Sequence, residues 1–265
     1  MAVVEITRER HLVRVLLNRP DKLNALNDEI RTGLDAICRE LTDDPTTSVV
    51  VLSGAGSSFS AGADLDAGSR PPASGPEPAA SWAERRHAAG AWQRTLDALE
   101  GLPQVTVAAL HGHCIGGAAL LATACDIRVA DATLRVRIPE LAIGIPLTWA
   151  GVPRLAREIG LPLARELVLT GRPMESEEAH RCGFVQRLAA RGALEAAVDR
   201  LTAELLAMPD APLAMAKAMT RAVGRERAMA LGWAGADLLH WSRRESESRQ
   251  AASRYLASRA DGGGS

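Results

Sequence analysis

The chain has 265 residues, 47% of them hydrophobic, long enough for one large domain or one domain with a small appendage. Its 31 basic and 32 acidic residues nearly cancel, and no dense Lys/Arg block supplies the phosphate neutralisation that nucleic-acid binding depends on, so nucleic acid is not an expected partner. No segment reaches the roughly 18 uninterrupted apolar residues of a membrane span, and the opening MAVVEITRERHLVRVLL breaks its apolar positions with charges where a signal peptide would not, which predicts a soluble, cytoplasmic protein without a membrane partner.

HLVRVLLNR (11–19) alternates and then runs apolar, which predicts a strand; TSVVVLSG (47–54), a β-branched run closed by glycine, predicts another. Between them Asn27 is a candidate N-cap with Asp28 and Glu29 in the first turn, and Ile30, Leu34, Ile37 and Leu41 follow at helical spacing. A helical pattern then spans about Trp82 to Leu99, followed by a strand at VTVAALHG (105–112), a helix of small residues up to Cys125, and a strand at DIRVA (126–130). This recurrence of strands and helices indicates an α/β architecture.

Residues 66–81, DAGSRPPASGPEPAAS, hold four prolines and almost no large apolar group, as expected of a mobile loop or lid, or of a tolerated surface insertion. After roughly residue 160 the pattern is wholly helical, ending in DGGGS, a disordered tail. Cys38, Cys114, Cys125 and Cys182 are far apart and form no CxxC pair or His/Cys cluster, so neither a metal nor a disulfide framework is expected.

Two stretches are short of side chains where strands end. In SSFSAGADL (57–65) and in HGHCIGGAALLATACD (111–126), alanine and glycine let a backbone N–H approach a ligand closely, and the unpaired amides of a following helix favour negative charge. Either stretch alone reads more often as tight packing. Together they would supply two amide donors to one oxygen, the arrangement that stabilises an enolate or a tetrahedral oxyanion.

LNRPDKLNAL (17–26), FSAGADL (59–65), HGHCIGGAALLATACDIRVA (111–130), RIPELAIGIP (137–146) and LVLTGRPMESEEAHRCGFV (167–185) resemble, in register, the successive signatures of the crotonase, or enoyl-CoA hydratase/isomerase, superfamily. The resemblance implies a spiral of ββα units with a C-terminal helical trimerisation region: a core over 1–195 with the acyl-CoA site, an oligomerisation region over 196–260, and a tail over 261–265. It implies homotrimers or dimers of trimers acting on acyl-CoA thioesters. No separate cofactor is implied, because coenzyme A is carried as part of the substrate.

Matched position by position, the oxyanion-hole amides would be those of Ala63 and Gly117. The CoA-binding segments would fall on Lys22, Leu23 and Ala25, and on Ala61 through Leu65 including Asp64, mainly through backbone atoms; Lys22 would also meet a phosphate or serve as a solvated turn lysine.

Hydratases of the family carry two glutamates, and the first of those positions is Leu120 here while the second is kept as Glu140. Hydration asks for a group to activate water and a group to protonate the α-carbon, and a positioned acid or base is typically worth about 10² to 10⁴ in rate. Moving a double bond asks for one carboxylate. The family's Δ3,Δ2-enoyl-CoA isomerases resemble this sequence in pairing an apolar residue at the Leu120 position with a lone glutamate at the Glu140 position, so isomerisation with Glu140 as proton shuttle is the expected chemistry. Leu120 reads as pocket wall, helix core, or both.

Thr148 replaces the extra aspartate of dienoyl-CoA isomerases, and Ile145 and Pro146 lie near the dehalogenases' nucleophilic aspartate, which disfavours both chemistries. Alternatives are a hydratase or a decarboxylase using Glu140, and a non-catalytic acyl-CoA binder. Weaker candidates are His111 and His113 beside Gly112, the loop acids Asp66 and Glu77, and Trp233, His240 and Trp241 at helical spacing near the C-terminus.

Overall fold

The computed structural model describes residues 2–65, 81–225, 244 and 246–261. A six-stranded sheet runs in the order β1-β2-β3-β4-β6-β9, built from Val4–Glu9, Leu12–Leu17, Val49–Gly54, Val105–Leu110, Ile127–Asp131 and Arg187–Ala189. β1 pairs antiparallel with β2 and every other neighbour is parallel. The central strands read as continuous apolar runs because both faces are covered: all six residues of β4 are buried.

One face carries the larger core, to which the Asp28–Thr42 helix contributes Ile30, Leu34, Ile37, Cys38 and Leu41. Asn27 caps that helix as expected, its side chain accepting from Ile30 N–H at 3.0 Å. On the other face Leu12, Val49, Val51, Val107 and Val129 meet Ala197, Val198 and Leu201 of the Leu194–Leu206 helix. The boundary expected at 195 therefore falls inside a helix that packs on the sheet.

The helical pattern over 82–99 forms two helices, Trp82–Ala89 and Ala91–Gly101, divided at Gly90. Ser81 and Glu84 cap the first reciprocally, Ser81 N–H donating to Glu84 Oε2 at 2.6 Å and Glu84 N–H to Ser81 Oγ at 3.2 Å. A second, three-stranded sheet has the order β5-β7-β8, from His113–Ile115, Arg135–Arg137 and Met174–Glu175.

The expectation that the chain is wholly helical after about 160 is corrected on two counts. The helix begins earlier, as Gly151–Thr170 with a break at Gly160, and the strands β8 and β9 interrupt the region. Residues 66–80 and 226–243, with the loop expectation and with Asp66, Glu77, Trp233, His240 and Trp241, lie outside the described residues, as do 262–265. Among the described residues no helix is long and apolar enough to cross a membrane.

Candidate active site

The register between the 57–65 segment and β5 decides where the amides point. Ser60 N–H donates to the His113 carbonyl at 2.9 Å, and the Ser60 carbonyl accepts from Ile115 N–H at 3.2 Å, forming a parallel bridge between Ser60 and Cys114. Two residues further on, the same ladder would spend Gly62 N–H on the Ile115 carbonyl and Gly117 N–H on the Gly62 carbonyl. It stops there instead.

Gly62 has φ +84°, and a methyl on it would lie 3.1 Å from the Ile115 carbonyl carbon. Its N–H donates to Ser60 Oγ at 3.1 Å and its carbonyl accepts from Leu26 N–H at 2.7 Å. Gly117 N–H is thereby released from the ladder. As the first residue of the Gly117–Thr123 helix, it has no carbonyl one turn back to pair with.

Ala63 is released in a similar way. Leu26 takes the Gly62 carbonyl and the Asp64 N–H (2.9 Å), the two neighbours of Ala63, so the Ala63 N–H points away from Leu26. The Ser60–Cys114 bridge sets this segment beside the strand that leads into Gly117. Both peptides are polarised from behind: the Gly62 carbonyl by Leu26 N–H, and the Gly116 carbonyl by the N–H groups of Ala119 (2.9 Å) and Leu120 (3.3 Å).

Each glycine of the 116–117 pair has a large side chain where a Cβ would sit. Gly116 has φ +52°, and a methyl on it would overlap Glu140 Oε1 and lie 3.2 Å from the carboxyl carbon; a methyl on Gly117 would overlap the Trp149 ring, 2.7 Å from Cη2. Carboxylate and indole thus abut consecutive residues of the chain.

Glu140 opens the short 3-10 turn Glu140–Ile143, against which the Ser246–Asp261 helix packs. The residue is half-buried as a whole, but its Oε2 is shut off from solvent and has no hydrogen-bond partner among the described residues. Burial pushes the carboxyl up to about 7, with the residue's own backbone N–H pulling weakly the other way. Leu120, 1% exposed, sits in the core and also backs this region, since a methyl on Gly151 would lie 2.9 Å from its Cδ1.

The two predicted CoA-binding segments are bonded to one another. Ala61 N–H donates to the Leu23 carbonyl at 2.8 Å, Ala25 N–H to the Lys22 carbonyl at 3.0 Å, and Arg19 reaches both the Ala25 carbonyl and, at 2.9 Å, the Asp64 carboxylate. Lys22 and Leu23 are exposed; Ala25, Ala61, Asp64 and Leu65 are half-buried. Asn24, fully buried at φ +54°, ties the turn down by donating to the Ala55 and Ser58 carbonyls, both at 2.8 Å.

Sequence reasoning missed Trp149, Trp92 and Arg154. Trp149 stacks on Trp92 with centroids 5.1 Å apart and planes 21° from parallel. Trp149 and Ala150 both adopt left-handed backbone, φ +56° and +55°, each costing about 1–3 kcal/mol. Buried Arg154 holds them, donating to the Trp149 carbonyl at 3.3 Å while pairing with Asp97 and Glu100. No local pattern announces this, because it depends on partners some fifty residues away. Of the histidines, His111 donates from Nε2 to the Gly56 carbonyl at 3.0 Å, a structural bond, and His113 N–H donates to Ser58 Oγ at 3.2 Å.

The chain is similar to several known proteins. The chain is 32% identical over 186 residues to the short-chain-enoyl-CoA hydratase of Clostridium acetobutylicum, covering 70% of this chain and 68% of that one. It is 35% identical over 185 residues to the mitochondrial Δ(3,5)-Δ(2,4)-dienoyl-CoA isomerase of Rattus norvegicus, covering 68% of this chain and 56% of the relative. An enoyl-CoA hydratase/isomerase from Mycobacterium paratuberculosis superposes with a TM-score of 0.85 at 23% identity, over 96% of this chain and 98% of that one. A Thermobifida fusca protein solved in complex with CoA superposes at 0.76 with 30% identity, over 98% and 95%. The family model described as enoyl-CoA hydratase/isomerase matches residues 7–260, and the chain belongs to that family, within the crotonase superfamily.

Proposed function

We propose that the protein is an acyl-CoA-thioester enzyme that moves a carbon–carbon double bond, converting a 3-enoyl-CoA into the conjugated 2-enoyl-CoA with Glu140 as its single acid/base. The observation that carries this reading is the placement of a desolvated Glu140 carboxylate against Gly116, one residue from the released Gly117 amide. Ionised Glu140 takes a proton from C2, and the electrons of that C–H bond flow toward the thioester oxygen. The Ala63 and Gly117 N–H groups hold the charge on that oxygen. The same carboxyl returns the proton to C4, leaving the double bond between C2 and C3 and no net change in atoms or electrons. A carboxyl titrating near 7 suits both halves of the cycle.

Leu120, apolar and buried on the helix that Gly117 opens, supports a dry site with one carboxylate. The Lys22–Ala25 and Ala61–Leu65 segments would bind the CoA portion, a role supported by the bonds between them, and no other cofactor enters the scheme. The Asp210–Arg225 helix leaves Met215, Met219 and Val223 more than 60% exposed, which supports assembly as a homotrimer or dimer of trimers.

A second reading, hydration of a 2-enoyl-CoA, is favoured by the similarity to the Clostridium hydratase. Incubation with a 3-enoyl-CoA separates the two. Conjugated product that disappears in Glu140→Ala supports isomerisation; no conjugated product at any chain length, or full activity without Glu140, overturns it.

A further inference from the structure

Ser60 is fully buried, and its hydroxyl uses both its hydrogen and a lone pair: it donates to the Asn24 carbonyl at 2.8 Å and accepts from Gly62 N–H at 3.1 Å. Its main chain makes both bonds of the bridge to β5. One residue thus touches the 22–26 turn, the Ala61–Gly62 peptide just before Ala63, and the strand that leads into Gly117.

The hydroxyl has a specific task in the ladder. Continuing the pairing to β5 would send Gly62 N–H to the Ile115 carbonyl, and pairing with the 24–26 segment in the Leu26–Ala63 register would send it to the Asn24 carbonyl. Ser60 Oγ stands in for both acceptors. It accepts the Gly62 N–H and passes its own hydrogen to Asn24, as an inserted water would. With that N–H satisfied at the turn, Gly62 keeps its left-handed conformation, its carbonyl goes to Leu26, and Gly117 N–H stays out of the ladder.

We propose that Ser60 is the positioning residue of the oxyanion-binding pair: its hydroxyl ends the strand pairing at Gly62 and so holds the Ala63 and Gly117 amides open toward one oxygen. The inference rests on those amides binding the thioester oxygen. Ser60 touches no reacting atom and acts through Gly62. A serine that merely filled space would be replaceable by alanine with little effect on how a bound carbonyl is polarised.

The test reads carbonyl polarisation directly. In 4-(dimethylamino)cinnamoyl-CoA the amino group is conjugated through ring and alkene to the thioester carbonyl, so hydrogen bonds to that oxygen shift its absorption to the red. The wild-type protein should red-shift the bound probe. Ser60→Ala, with two buried backbone groups unpaired, should lose most of that shift, and kcat for 3-enoyl-CoA isomerisation should fall by about 10- to 100-fold, the scale of a slight misplacement of catalytic groups. Its Kd for free CoA, which has no thioester oxygen, should stay at the wild-type value, showing that the variant is folded.

Ser60→Cys, with a weaker donor and acceptor of similar size, should recover part of the shift, and it carries the test by itself if the alanine variant fails to bind CoA. A full wild-type shift and rate in Ser60→Ala, or in Ser60→Cys where that variant stands alone, overturns the inference. Absence of any red shift in the wild-type protein overturns the underlying functional reading instead.

Discussion

The 57–65 segment and the 140–151 segment both arrive at Gly116 and Gly117, and they arrive by different means. The first works through main chain: Ser60, Gly62 and Ala63 are small, and the groups proposed to act there are amides. The second works through two large side chains, Glu140 and Trp149, held by a strained backbone and by Arg154 from the following helix. The main-chain half is therefore sensitive to added atoms, and the side-chain half to removed ones.

The largest expected effect is in the side-chain half. Glu140→Gln keeps the shape and removes the base, so kcat on a 3-enoyl-CoA should drop by about 10² to 10⁴, with the Kd for free CoA unchanged, as steady-state kinetics and calorimetry would show. A comparable CoA Kd but an unchanged rate would move the acid/base role elsewhere.

In the main-chain half, the matching change is the gain of one methyl. Gly117→Ala would drive that methyl into the Trp149 ring, displacing either the indole or the amide. The expected cost is about 10² to 10³ in kcat, the scale of losing one oxyanion donor, with about 1–3 kcal/mol of stability from overpacking. Pairing it with Trp149→Ala sharpens the comparison: if the clash is the cause, the double variant should recover stability relative to the sum of the two single variants, read by urea unfolding.

The side-chain half also gives a handle through pH, because it contains a perturbed acid. Folded Glu140 titrates near 7 against 4.5 for an ordinary glutamate, so the folded state holds the proton more tightly. Its contribution to stability is fully present below about pH 4.5 and is lost as pH rises through about 7, a total of about 3 kcal/mol. Glu140→Gln should match the wild-type pH dependence less this component, its advantage over wild type growing between about pH 5 and pH 8 in urea melts. In the same range wild-type kcat/KM should climb as the base ionises.

The smallest effect concerns strain. Ala150→Gly places the residue that tolerates left-handed backbone at φ +55°, and relief of strain less the added unfolded-state entropy should stabilise the fold by roughly 0.5–1 kcal/mol. A loss of stability would mean that the methyl contributes packing that the geometry does not reveal.

The same contrast explains what was legible in the sequence. The small residues of 59–65 and 116–117 announced close backbone approach, and the alternation and β-branching of 11–19, 47–54 and 105–112 announced β2, β3 and β4, because these signals are local. β5, β7, β8 and β9 are two or three residues long and show no periodicity. β1 is an edge strand with charges at Glu5, Arg8 and Glu9, joined to β2 by the turn at Arg10 and His11. The motif points to Glu140, but the burial of its carboxyl comes from the surrounding fold. Trp149 carried no signal because its conformation is set by Arg154 and Trp92. Ser60 stood in plain view as one small residue among several, and only the bond pattern separates it from its neighbours.

The most direct test of a single carboxylate working in a shielded site is the fate of the proton it moves. A 3-enoyl-CoA deuterated at C2 should, within one turnover, yield 2-enoyl-CoA carrying part of that deuterium at C4, read by mass spectrometry and NMR. Complete loss of the label to solvent, with only solvent hydrogen arriving at C4, would contradict the account.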